Sequence, residues 1–293
     1  MNLQWYPGHM AKTRRILTEN LKLVDVVLEL LDARIPKSSK NPIIDEIVGD
    51  KPRIIVLNKS DLADERVSRQ WNEWYASNGY TCIFVNSIKG TGINSLKSKL
   101  MDIMKDKIER ERQKGRKFRS IRTMVVGIPN VGKSSFINKI AGRASAVTGD
   151  RPGVTRGKQW IRLNSQIDLL DTPGVLWPKF EDQETGLNLA FTGAIKDEVF
   201  DIVEVASLLM ERLSKKYPNE LKSRFKLDSL EADNNLALLE AAGRKRGCVI
   251  SGGEIDFNRI AAIVLDEFRG GKIGKISLES PADIDIVRSE SND

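Results

Sequence analysis

The octapeptide Gly127-Ile128-Pro129-Asn130-Val131-Gly132-Lys133-Ser134 fits the pattern G-x-x-x-x-G-K-[ST] in full, and it limits what can lie on either side of it. The apolar run Thr123-Met124-Val125-Val126 precedes it and reads as a strand. Ser135-Phe136-Ile137-Asn138-Lys139-Ile140 follows and reads as the opening of a helix. Strand, loop and helix in that order make a cradle for nucleotide phosphates. The glycines admit a close backbone approach, and the N–H groups of Asn130, Val131, Gly132 and Ser135 and the helix N-terminus favour negative charge. Lys133 is placed to reach the β- and γ-phosphates and the Ser134 hydroxyl to ligate Mg²⁺.

A phosphate loop does not distinguish ATP from GTP. Base choice is read from Asn58-Lys59-Ser60-Asp61, which ends the strand-like segment Pro52-Arg53-Ile54-Ile55-Val56-Leu57. A carboxylate at Asp61 accepts two hydrogen bonds from the ring N–H and exocyclic amine of guanine, while the Lys59 stem packs on the base. Adenine offers no such donor pair and would leave the carboxylate unpaired. This guanine-reading run stands ahead of the phosphate loop, the reverse of the order in ordinary GTPases. The expected fold is α/β, a P-loop GTPase with circularly permuted strand order.

Three further signals fall at strand ends. Asp171-Thr172-Pro173-Gly174 closes the strand Gln166-Ile167-Asp168-Leu169-Leu170, so Asp171 is expected to hold Mg²⁺ and the Gly174 N–H the γ-phosphate. Thr155, in Arg151-Pro152-Gly153-Val154-Thr155-Arg156-Gly157, is the candidate hydroxyl that closes on Mg²⁺, with Thr148 as competitor. Asn86-Ser87-Ile88-Lys89 follows the strand Thr81–Val85 and resembles the Ser-Ala-Lys base-contact loop of GTPases, with Ser87 and Ile88 beside the guanine and Ile88 in place of the small residue.

The order of these motifs is similar to that of the circularly permuted GTPases. The opening Trp5-Tyr6-Pro7-Gly8-His9-Met10-Ala11-Lys12 and the run Leu31-Asp32-Ala33-Arg34-Ile35-Pro36 resemble the bacterial ribosome biogenesis GTPase A family over residues 1 to about 180. The resemblance implies a factor in late assembly of the large ribosomal subunit, contacting ribosomal RNA and the subunit precursor, with slow GTP hydrolysis that the subunit stimulates. Val175 and Leu176 stand where many GTPases carry a water-orienting glutamine, and the resemblance gives that role to His9, the single histidine of the chain. A helix-capping or phosphate-contacting histidine is the other reading. Asn130 matches the residue with which potassium-activated GTPases hold K⁺, and a loop-shaping asparagine is its alternative.

Bulk properties agree with this. The length of 293 residues allows a GTPase domain over 1–178 and a small all-α domain over 179–280, with an acidic, frayed tail at 281–293. Helical spacing returns at 199–209, 234–245 and 256–268. No run is apolar enough to span a membrane, and Cys82 and Cys248 follow no metal spacing, which reads as a cytoplasmic chain with reduced thiols; it is expected to be monomeric when free. The net charge of +7 is concentrated in the linker 105–122, where nine Lys/Arg face three Asp/Glu. Arg112, Lys114, Arg116 and Lys117 there, and Arg244, Lys245 and Arg246 further on, are candidate RNA contacts; solvated helix ends are the other reading. A nucleotide-gated RNA-binding adaptor whose own turnover is incidental is the alternative function. With the chain leaving Asp171–Gly174 directly into the helical domain, a switch that orders around the γ-phosphate would pull on that domain.

Overall fold

The computed structural model describes residues 7–115, 120–142, 159–163, 166–172, 182–231, 234 and 236–284, with side chains from Arg14 onward except Gln159. These fall into two compact units. One comprises 7–172 and 277–284, the other 182–276.

The first unit is built on a six-stranded sheet of β1 (Val26–Asp32), β2 (Arg53–Asn58), β3 (Thr81–Phe84), β4 (Ile121–Gly127), β5 (Gln159–Arg162) and β6 (Ile167–Asp171). The order across it is β3-β2-β1-β4-β6-β5, parallel except for the antiparallel edge pair β5 and β6. Helix α1 (Pro7–Leu21) precedes β1, and α2 (Pro42–Val48), α3 (Glu65–Ser77), α4 (Ile93–Gln113) and α5 (Lys133–Ala141) lie in the connections between successive strands. β1 and β4 sit side by side in the centre although β2, β3 and three helices separate them in sequence. The permuted order is thus realised as one continuous sheet, parallel from β3 to β6.

β1 reads Val-Val-Leu-Glu-Leu-Leu-Asp and is buried along its whole length, as a central parallel strand covered on both faces must be. On one face Leu17 of α1 packs with Val24, Val27, Ile44, Val48, Met124, Val126 and Leu170. Farther along the same face, as the register of β4, β1 and β2 requires, Trp71 and Tyr75, one turn apart on α3, pack with Leu31, Ala33, Ile55, Leu57 and Ala63. Glu29 interrupts the apolar pattern. It is held by Arg53 at 3.0 Å, yet burial pushes its carboxyl up to about 7.

The second unit holds α6 (Gln183–Phe191), α7 (Ile202–Lys216), α8 (Pro218–Phe225), α9 (Ala237–Lys245) and α10 (Phe257–Arg269). α10 packs on α7, α9 and α6. Its buried stripe Ile260, Ala261, Val264, Leu265 and Phe268 follows the three- and four-residue spacing seen in the sequence. Asp201 and Asp256 cap α7 and α10, their carboxylates accepting backbone N–H groups of the first turn.

At the C-terminal end the structure departs from the sequence reading. The expected helical domain runs to 280 and the tail from 281, whereas the chain returns to the first unit at Ser277. Its hydrogen bonds explain the return. The buried Glu279 carboxylate accepts from the backbone N–H of Lys37 at 2.8 Å and of Ser38 at 3.1 Å, and from the Ser38 hydroxyl. The indole N–H of Trp71 donates to the Glu279 carbonyl, and Ile284 packs beside Trp71 and Tyr75. Residues 285–293 of the expected tail lie outside the described residues.

Candidate guanine-nucleotide site

Every strand of a parallel α/β sheet delivers its carboxyl end to the same edge, so β2, β4 and β6 carry their motifs to one place. The loop after β4 takes left-handed backbone at Asn130, φ +56, and at Gly132, φ +96. A side chain at Gly132 would meet the Asn58 amide nitrogen at 2.5 Å, and one at Gly127 the Leu30 carbonyl oxygen at 2.6 Å. Glycine is required at both by backbone shape and by the neighbour's distance.

Asn58 is the hub of the site. Its buried side chain donates from Nδ2 to the Val131 carbonyl at 2.8 Å and accepts at Oδ1 from the Ser87 hydroxyl at 2.6 Å and the Ser87 N–H at 3.2 Å. One amide therefore joins the end of β2, the phosphate loop and the loop after β3. The backbone adds to this tie, since the Ser60 N–H donates to the Val85 carbonyl. Asn86 in turn accepts at Oδ1 from the N–H groups of Ile88 and Lys89, at 2.9 and 2.8 Å, and fixes the turn that leaves Ile88 81% exposed.

On the phosphate side, Lys133 and Ser134 occupy the first turn of α5, and Asp171 ends β6, paired in register with Val125. Asp171 is buried, and next to it the Thr172 hydroxyl donates to the Val125 carbonyl at 2.5 Å. Desolvation lowers the Lys133 ammonium to about 8 against the upward pull of Asp171. The arrangement is a backbone cradle with a partly desolvated cation at its base. A hydroxyl and a carboxylate stand nearby as hard oxygen donors of the kind Mg²⁺ takes alongside phosphate oxygens.

Residues 122–233 match the family model described as 50S ribosome-binding GTPase. Ribosome biogenesis GTPase A of Bacillus cereus is 49% identical over 281 residues, 96% of this chain and 95% of that protein. The chain belongs to the ribosome biogenesis GTPase A family. A GDP-bound YlqF structure superposes with a TM-score of 0.66 at 27% identity, covering 92% of this chain and all of that one. GNP-bound YlqF from Thermotoga maritima gives 0.64 at 27%, with 92% and 98% covered. This family member is accordingly a GTPase, and its sheet is the circularly permuted one expected from the motif order.

The structure brings together Asn58, Ser87, Val131 and Gly132 in direct contact, and Lys133 with Asp171 in electrostatic reach. Asp61 is partly buried, in the turn that the Leu62 N–H closes onto the Lys59 carbonyl. Thr155, Thr148, Gly174, Val175, Leu176, Arg116 and Lys117 lie outside the described residues, and the His9 side chain outside the described side chains. Sequence reasoning gave no role to Asn86, Asp32 or Glu279. Asn86 carried a signal, an asparagine placed to accept the N–H groups two and three residues on. Glu279 carried none.

The lowered Lys133 pKa has a measurable consequence. A free protein in which Lys133 titrates near 8 must take up a proton to bind phosphate above that pH, because the bound phosphates favour the ammonium form. GDP affinity is expected to fall as pH rises through 8, by up to about tenfold per unit. Calorimetry in buffers of different ionisation enthalpy at pH 8.5 to 9 should register net proton uptake; uptake of zero would refute the assignment.

Proposed function

We propose that the chain is a nucleotide-switched assembly factor for the large ribosomal subunit, binding ribosomal RNA on precursor particles and using GTP hydrolysis to time its release. The three-way tie at Asn58 carries the nucleotide half of this reading, because it builds one site from the three loops that GTP recognition needs. The partner half is supported by what the relatives are called and by where the cations lie.

In this reading Lys133, the 130–135 backbone and Gly174 hold the phosphates, while Asp61, Lys59, Ser87 and Ile88 hold the guanine. Ser134, Asp171 and Thr155 would hold Mg²⁺, which, when bound, neutralises charge on the β- and γ-oxygens. Asn130 would present its side-chain carbonyl to K⁺. His9 would orient the attacking water. Its placement in the fold supports this. α1 joins β1 through a short link, and Lys51 caps the Leu21 and Val24 carbonyls at the amino edge of the sheet. Helix α1 therefore runs back across the sheet, its Leu17 packed with residues of β4 and β6. Fifteen residues of helix span about 22 Å, much the same as a seven-residue strand, a length sufficient for the first turn with His9 to reach toward the phosphate edge.

For RNA, Arg112 and Lys114 are exposed at the end of α4. In the helical unit a cleft of about 850 Å³ is lined by Arg224, Lys226, Lys245, Arg246 and Lys272. Arg244 pairs with Glu240 and Lys245 with Asp228, both at the surface, where such pairs are weak and exchange readily for phosphate. Arg246 is held more firmly, bridging to Glu267 and stacking on Phe225. Among the described residues no helix is long and apolar enough to cross a membrane.

Co-sedimentation of the GTP-analogue complex with separated ribosomal subunits tests the reading, binding to the large-subunit fraction being expected. Neutralising Arg112, Lys114, Arg116 and Lys117 together should weaken that binding and flatten its salt dependence, with log K against log[salt] losing up to about 0.9 of slope for each phosphate contact removed. GDP affinity should stay unchanged. An unaltered salt slope would return the segment to a solvated helix end.

A further inference from the structure

The run Leu31-Asp32-Ala33-Arg34-Ile35-Pro36 has no part in the site as built above, yet it carries two buried charges at the carboxyl end of β1. Arg34 clamps Asp32 from Nε and Nη2 at 2.9 and 2.8 Å, and its backbone N–H adds a third bond at 3.0 Å. That fork is enough to neutralise the carboxylate. A second cation nevertheless reaches it. The Lys59 ammonium lies 3.0 Å from Asp32 Oδ2. Burial alone would raise the Asp32 pKa, but Arg34 and Lys59 outweigh it and hold the carboxyl well below the usual carboxylate range.

The extra bond matters mainly to Lys59. This residue has φ +58, left-handed backbone that a side chain adopts only where its surroundings hold it. The holding groups are on β1. Asp32 stands opposite Asn58 in the parallel register, and the Ala33 N–H donates to the Asn58 carbonyl at 2.9 Å. Farther back, the Leu278 N–H donates to the Arg34 carbonyl at 2.9 Å, which fixes the base of the clamp. A lysine free at four torsions would have to be ordered when the nucleotide arrives. One anchored by its ammonium has that cost met in advance.

We propose that Asp32 is a positioning residue for guanine recognition, anchoring the Lys59 ammonium so that its stem lies ready against the base, with Arg34 orienting the carboxylate. The proposal rests on Lys59 being a base-contacting residue, as in the function proposed above. That premise is tested separately by Lys59→Met.

The experiment is a double-mutant cycle on the full-length protein, with GDP and inorganic pyrophosphate as the two probes. Lys59→Met should lower GDP affinity; if it does not, the premise fails. Asp32→Asn should lower GDP affinity about tenfold and leave pyrophosphate affinity within about twofold, since the phosphate loop is untouched. Placed on Lys59→Met, Asp32→Asn should cost less than about twofold more, because its effect passes through the ammonium already removed. Asp32→Asn leaves Arg34 buried without its counter-ion, so Asp32→Asn/Arg34→Gln, which removes both charges, is measured beside it with the same expectation. In the wild type, ¹⁵N-lysine spectra should show a slowly exchanging Lys59 ammonium before GDP is added. The idea is overturned by full GDP affinity in either Asp32 variant, by parallel loss of GDP and pyrophosphate, by additive losses in the cycle, or by a freely exchanging Lys59 ammonium.

Discussion

Asp61→Asn is expected to cost GTP binding on the order of 2–4 kcal/mol, about 30- to 1000-fold in affinity, and to shift preference toward xanthine nucleotides. The guanine ring N–H and exocyclic amine both donate, and a carboxylate can accept both. An asparagine amide accepts one and sets its own NH₂ against the other. Xanthine, with a carbonyl in place of the amine, restores a donor–acceptor match. The loop around position 61 should survive the substitution. Asp61 is only partly buried, and the turn is held by the Leu62 N–H on the Lys59 carbonyl and the Ser60 N–H on the Val85 carbonyl, neither of which uses the carboxylate. A direct titration with GTP, XTP and ATP decides the matter; undiminished GTP affinity would show that guanine is read elsewhere.

The parts of the site made by backbone chemistry were legible in the sequence. A phosphate cradle needs glycine at set spacing between a strand and a helix, so the residues from Gly127 to Lys133 announce β4, its loop and α5 together. The motif order implied a sheet in which β1 and β4 are neighbours, and they pair in register from Val26 with Thr123 onward. Contacts made by side chains between distant segments were not legible. Nothing local to Asn58 says that its amide will bridge Val131 and Ser87, and nothing near Asp32 says that Lys59 will reach it. The returning segment was the hardest case. Ser277-Leu278-Glu279-Ser280 is a polar stretch after a helix, which reads as the start of a tail. It is held by backbone N–H groups at Lys37 and Ser38, and a sequence pattern records side chains, not the direction of unpaired backbone donors. Glu29 shows the same limit from the other side, since an acid in an apolar strand is intelligible only once Arg53 of β2 stands beside it.

His9→Ala should leave GTP binding near the wild-type value and lower partner-stimulated kcat by about 10²-fold or more, the scale for losing a positioned catalytic group. Residues 175 and 176, after Asp171-Thr172-Pro173-Gly174, are valine and leucine, and neither can orient a water. His9 is the one imidazole in the chain, and the run of α1 across the sheet brings its first turn toward the edge where the phosphate loop and Asp171 lie. No phosphate contact is asked of it, so nucleotide affinity and turnover should separate. A phosphate-contacting or helix-capping histidine would instead move affinity or thermal stability. Basal hydrolysis in the free protein should change little if the first turn of α1 reaches its working position only on the ribosomal particle. The informative measurement is therefore single-turnover hydrolysis with and without large subunits. The variant should also stay longer on the particle, since hydrolysis would no longer prompt release. A stimulated rate within about twofold of wild type would pass water activation to the bound monovalent cation or to the partner's RNA, and a release rate that ignores turnover would favour a nucleotide-gated adaptor over a hydrolysis-timed factor.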